Sequence, residues 1–192
     1  MKRIVIFISL ASIIFVSCSF IVPRRIKKEF KYCFTGEKTG LDTLININGY
    51  YAPSPDGIIQ WNGRILTKDT LNPNYLFYDN GFVTNMIDSR YLLENNKVSS
   101  MKRRNLFDGD PGGYVLHGDT IKMQFIESPA IRTRGMWEVW FKIIDKNTIE
   151  RIDTKDSPLH PASERIYIFR PLEVRPNPED SWIYNKSWFR CK

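Results

Sequence analysis

Histidine is scarce in this chain. Only His117 and His160 occur in 192 residues. Neither sits at a metal-ligand spacing, and both read as loop residues, His117 before a turn and His160 between prolines. A glycine-rich phosphate loop, a zincin helix and a Gly-x-Ser-x-Gly elbow are also missing. The carboxylates Asp79, Asp119 and Asp145 fall at turns, where turn chemistry accounts for them. Catalytic carboxylate pairs can be assembled by a fold without a sequence signature, but nothing here asks for an enzyme. No catalytic residue, metal or cofactor is expected. Internal repeats beyond hairpins, low-complexity tracts and apolar runs of the roughly 20 residues needed to span a bilayer are lacking as well.

A shorter apolar run is present at the start. Lys2 and Arg3 precede Ile4 to Val16, which is apolar apart from Ser9 and Ser12. A basic start, a short apolar core and small residues before a cut read as a secretory signal peptide over residues 1–17. Phe15-Val16-Ser17-Cys18 resembles the lipobox of bacterial lipoproteins. That resemblance implies cleavage before Cys18 and acyl (palmitate-type) chains on its thiol and amine, a permanent tether, since two lipid signals already suffice. The alternatives are an ordinary signal-peptide cysteine or an uncleaved anchor. Ser19, rather than Asp, follows Cys18, and Ser19 to Pro23 carries no acid. By the same resemblance, the expectation is an outer-membrane lipoprotein facing the periplasm.

Charge points away from nucleic acid. The formal net charge is +7, and loss of the leader removes Lys2 and Arg3. The remainder is modestly basic, and secretion argues against a nucleic-acid partner. Residues 18–40 read as a lipidated tether. Its cations Arg24, Arg25, Lys27 and Lys28 could meet anionic headgroups, at about 1 kcal/mol per charge, or simply be solvated. Cys33 and Cys191 remain, one near each end of the mature chain. In an oxidising compartment they are expected to pair, with roughly 4–5 kcal/mol as an upper figure for so long a loop; the alternative is two free thiols.

Residues 41–192 carry the fold. Met136 to Ile152 is the clearest part. Trp137, Val139, Phe141 and Ile143 alternate with Glu138, Trp140, Lys142 and Ile144, Asp145-Lys146-Asn147 breaks the run, and Thr148 to Ile152 resumes it. Period-2 alternation of aromatic and β-branched residues around a polar turn is a β-hairpin with one buried face. Tyr75 to Met86, turning at Asp79-Asn80-Gly81, and Gly113 to Ile126, turning at Gly118-Asp119, repeat the device. Strands are expected at 44–51, 75–78, 82–86, 113–117, 120–126, 136–144, 148–152 and 165–169. Ile58 to Asn74 reads as a long loop over one rim. Ile87 to Gly112 offers a short helix or a strand. Lys102-Arg103-Arg104 reads as a solvated loop, against an anion or glycan contact. Asp108-Gly109-Asp110-Pro111-Gly112 lacks the distal ligands of a calcium loop and reads as a turn. Asn177-Pro178-Glu179-Asp180 has the form of a helix start, with a short C-terminal helix expected to about Ser187 and Trp182 and Trp188 against the barrel. Eight strands in hairpin order predict an all-β fold, an eight-stranded antiparallel meander barrel.

From Leu44 to Arg170 the sequence resembles the lipocalin-like domains of Bacteroidota lipoproteins. Gly49-Tyr50-Tyr51 lies where lipocalins carry Gly-x-Trp, and Tyr78-Asp79-Asn80-Gly81-Phe82 matches a frequent turn of these domains. The resemblance implies that Tyr51 plugs the closed end and that Arg170 packs over its ring. It implies no particular ligand. Two functions are in play beside the enzyme. One is a barrel that binds a small apolar or amphipathic ligand through Phe77, Met123, Phe125, Trp137, Val139, Phe141 and Ile168; the opposing possibility is that these side chains fill the barrel. The other is an envelope protein-interaction module, a complex subunit or a toxin inhibitor, presenting Trp61, Trp140, Trp182 and Trp188.

Overall fold

The structure is a computed structural model that describes residues 22–53, 58–61, 64–67, 74–86, 109–127, 135–153, 166–172 and 175–191. Ten strands are present among them: β1 (Gly49–Pro53), β2 (Ile58–Trp61), β3 (Arg64–Thr67), β4 (Asn74–Phe77), β5 (Phe82–Met86), β6 (Pro111–His117), β7 (Thr120–Ile126), β8 (Met136–Asp145), β9 (Thr148–Arg151) and β10 (Ile166–Pro171). Two short helices precede them, α1 (Arg24–Glu29) and α2 (Leu41–Leu44). Eight strands close into an antiparallel barrel in the order β1-β10-β9-β8-β7-β6-β5-β4, and β1 seals it by pairing with β4. Closure removes the unpaired edges that an open meander would expose. The strands β2 and β3 form a separate hairpin, so the loop expected over 58–74 contains a paired ribbon.

Alternation decides what points inward. In β8, Val139 and Phe141 are fully buried while Lys142 and Ile144 are exposed. Their cross-strand neighbours, Met123 and Ile121 on β7, are buried beside them. The interior continues through Tyr51, Tyr75, Phe77, Val83, Phe125, Ile149 and Tyr167. One end of the barrel is plugged. Leu41 and Ile45, at either end of α2, join the interior cluster, and the backbone N–H of Asn46 donates to the Lys146 carbonyl at 2.8 Å. The first strand therefore starts at Gly49 rather than Leu44, because Leu41 to Leu44 turns to cap the barrel.

A second core lies on the outer wall. Val22, Ile26 and Phe30 fall four residues apart, one stripe of a helical surface, and all three are buried there with Phe34, Tyr50, Leu76, Tyr78, Phe82, Ile183, Tyr184 and Phe189. The chain from Val22 onward thus belongs to the domain, which corrects the expected tether over 18–40. Where this segment crosses β6, the Tyr32 carbonyl lies 1.8 Å from the place a Cβ on Gly113 would occupy. Only glycine admits that crossing. Cys33 and Cys191 form a disulfide, with Cα atoms 5.1 Å apart and a sequence separation of 158.

The C-terminal helix is shorter than expected. Asn177 does cap, its side-chain oxygen accepting from the Glu179 N–H at 3.1 Å. The element is one 3-10 turn, Pro178–Asp180, and Ser181 is already extended. Turns from there let Ile183, Tyr184 and Phe189 all reach the outer core, which a single short helix would not.

Candidate functional site

The two ends of the barrel differ chemically. At the plugged end the phenols are satisfied. Tyr51 donates to the Lys146 carbonyl at 2.9 Å. Tyr114 donates to the Tyr78 carbonyl, so the Thr39 hydroxyl, 2.7 Å from the Tyr114 oxygen, is the donor of that pair. Burial raises both phenol pKa values. Gly49 makes the entry of β1 possible, since a Cβ there would meet the Arg170 carbonyl oxygen at 2.0 Å and the Phe169 ring at 2.7 Å. Tyr51 takes the plug position, its ring 5.8 Å from Phe77 and 5.7 Å from Phe169. Arg170 stands opposite Tyr50 in the register, on the outward-facing side, so it does not pack over Tyr51 as the resemblance implied.

The opposite rim gathers polar groups inside the wall. Arg151 pairs with Phe141 across β9 and β8, and paired residues share a face. Its guanidinium therefore projects inward. Nε and Nη2 donate to the two Asp153 carboxylate oxygens at 2.6 and 2.7 Å, a bidentate pair whose side chains are 16% and 18% exposed. Burial lowers the Arg151 pKa, but the Asp153 bond and charge outweigh it, so the net shift is upward and the charge is held. Tyr75 and Tyr167 stand beside this pair, ring centroids 5.4 Å apart. The Tyr75 phenol is fully buried, and its pKa is driven well above the usual value by desolvation first and by the Tyr167 hydroxyl next; Arg151 pulls the other way. Its hydroxyl has no well-formed hydrogen bond.

Across the rim, Trp137 Nε1–H donates to Asp110 Oδ2 at 3.2 Å, and the indole stacks on Phe125 at 4.3 Å. The Asp110 N–H donates to the inward-facing Asn85 side chain. Below lies an aromatic floor. Tyr75, Phe125, Phe141 and Tyr167 are joined by ring contacts of 5.0 to 5.8 Å. The arrangement sets a charged pair and buried hydroxyls against a closely packed aromatic layer whose rings meet at 41 to 89° and are fully buried. A metal is not suggested: among the described residues no group of three His, Cys, Asp or Glu could hold one.

Of the seven lining residues expected from sequence, Phe77, Met123, Phe125, Val139 and Phe141 belong to the interior cluster and Trp137 packs against it. Ile168 does not. It is 37% exposed on the outer face, and Tyr167 and Phe169 point inward instead. Both faces of Ile166 to Phe169 are apolar, so the pattern carried no register, and a one-residue slip exchanges the faces. Trp182 and Trp188 pack against the outer core. Trp140 lies on the outer wall with the Lys122 ammonium 4.0 Å from its ring. The backbone of Trp61 is in β2. His117 is exposed. Cys18, His160 and Lys102 to Arg104 lie outside the described residues, as does most of Ile87 to Gly112. Sequence reasoning missed Tyr75, Tyr167, Arg151 and Asp153. The available signal was that Ile149 and Arg151 alternate on one face.

No protein-family model, curated protein or solved structure matches this chain.

Proposed function

We propose that this chain is an outer-membrane lipoprotein of the lipocalin-like kind, anchored through acylated Cys18 and facing the periplasm, whose barrel takes a small amphipathic molecule at the Arg151 rim. The observation that carries the reading is the Arg151–Asp153 pair held inside the wall above an aromatic floor. A buried ion pair is a poor stabiliser. Desolvation offsets most of its Coulombic gain, and apolar replacements of similar volume are often neutral or better. An inward arginine at this rim is therefore better explained by a polar head group than by stability. The guanidinium has N–H groups beyond the two that Asp153 accepts, and the adjacent Tyr75 hydroxyl supplies a further partner. The apolar part of the ligand would meet Trp137, which is half-buried at this rim, while Phe125 and Phe141 behind it are fully buried. Binding rather than catalysis is the reading, and no cofactor is assigned.

Native mass spectrometry tests it. Full-length protein extracted in detergent is compared with a soluble form starting at Ser19. The expected result is a mass increment on both forms that is released on denaturation and is lost in Arg151→Leu, a variant that keeps its far-ultraviolet circular dichroism. A barrel that carries no releasable mass, or one whose cargo is indifferent to Arg151→Leu, would refute the binding reading. An increment confined to the full-length protein and surviving denaturation reports the acyl anchor separately.

A further inference from the structure

We infer that the basic face of α1 is a docking surface for an anionic lipid bilayer, and that it seats the barrel directly on the membrane instead of letting it swing on a leash. The inference rests on the anchor reading above. Two independent observations carry it.

The first is chain length. Val22 is buried in the outer core, and it stands only four positions after Cys18, with three residues between them. Fully extended, that segment spans at most about 14 Å. A domain tied so closely must rest some part of its outer wall near the headgroups, and the part nearest the leash is α1.

The second is the chemistry of that wall. The stripe Val22, Ile26 and Phe30 faces the barrel. The remaining face presents Arg24, Arg25 and Lys28 exposed, with Lys27 half-exposed and Lys31 exposed just beyond. From Val22 to Tyr32 there are five cations and one carboxylate, Glu29, which lies 3.7 Å from Arg25. The C-terminal segment extends the same surface. Trp188 meets Phe30 edge-on at 6.3 Å, and exposed Lys186 and Arg190 flank it. Cations beside a half-exposed tryptophan suit a membrane interface, where indole rings settle at headgroup level and basic side chains meet anionic lipid. The Cys33–Cys191 bond holds the two segments together, so the charges are presented as a fixed array.

The test uses the unlipidated form starting at Ser19, so that the anchor cannot contribute. Cosedimentation is measured with vesicles of phosphatidylcholine alone and of phosphatidylcholine mixed with phosphatidylglycerol, at low ionic strength. Binding is expected only to the anionic vesicles, weakening as salt is added. The variant Arg24→Gln/Arg25→Gln/Lys28→Gln should bind on the order of a hundredfold more weakly, given about one kcal/mol per charge near the surface. Its exposed positions leave the fold intact, which an unchanged thermal midpoint checks. Equal partitioning onto both vesicle types, no binding to either, or an unaffected triple variant would overturn the proposal. Absence of an acyl mass on Cys18 would instead overturn the anchor reading, and vesicle binding would stand.

Discussion

The barrel interior and the outer-wall core are both aromatic and both buried, yet they are assembled in opposite ways. The interior comes from neighbours. Every strand around β5 to β9 pairs with the one next in sequence, and each contributes alternate side chains. The outer core joins the two ends of the chain: Phe30 and Phe34 meet Tyr184 and Phe189 at 4.8 to 5.2 Å, across nearly the whole sequence. The interior is held by closure of the sheet. The outer core is held by a glycine that admits a crossing, by a disulfide and by ring packing. The lesson is that one core can define the fold while the other defines how the fold is mounted.

Mutation separates them. Phe141 is fully buried, with Tyr75 at 5.1 Å and Tyr167 at 5.0 Å. Phe141→Ala is expected to cost about 3–5 kcal/mol and to lower the midpoint of denaturant unfolding as one cooperative transition. Removing the disulfide by Cys33→Ser/Cys191→Ser should cost less, about 3 kcal/mol. Hydrogen exchange should then show lost protection in 22–34 and 181–191 while β6 to β8 stay protected. Uniform loss across the barrel would show that the two cores are one cooperative unit.

The smallest effect sits at their junction. The Tyr32 hydroxyl donates to Glu138 at 2.9 Å, and burial, then Glu138, pushes its pKa up to about 12 from 10.0. A phenol whose folded pKa is raised stabilises the fold fully below pH 10, and that contribution is lost as pH rises towards 12. Tyr32→Phe is expected to cost about 1 kcal/mol at neutral pH. It should also flatten the alkaline fall in stability across that window. Unfolding curves measured at several alkaline pH values check both; an unchanged slope would mean the junction bond is not formed in solution.

Much of the interior was legible because period-2 alternation is a local signal. Val139, Phe141, Met123 and Phe125 announce their own face. The signal failed where it was symmetric. Ile166 to Phe169 is apolar on both sides, and only pairing with β1 and β9 selects Tyr167 and Phe169 for the inside. It failed again at Leu44 to Asn48, whose strand-like pattern serves an end cap instead. The polar rim was hidden for a different reason. An arginine at a strand end ordinarily reads as exposed, and only closure of the sheet turns Arg151 inward. The outer core was hidden because its halves lie at opposite ends of the chain. Cys33 and Cys191 hinted at the join, but nothing local tied Val22, Ile26 and Phe30 to a barrel wall.

The position of that disulfide also sets a schedule. A chain made from its amino end exposes Cys33 before any described strand, and Cys191 only after the last of them. The bond therefore cannot form until all the described strands have been made, and it fastens an outer wall whose barrel segments are already complete.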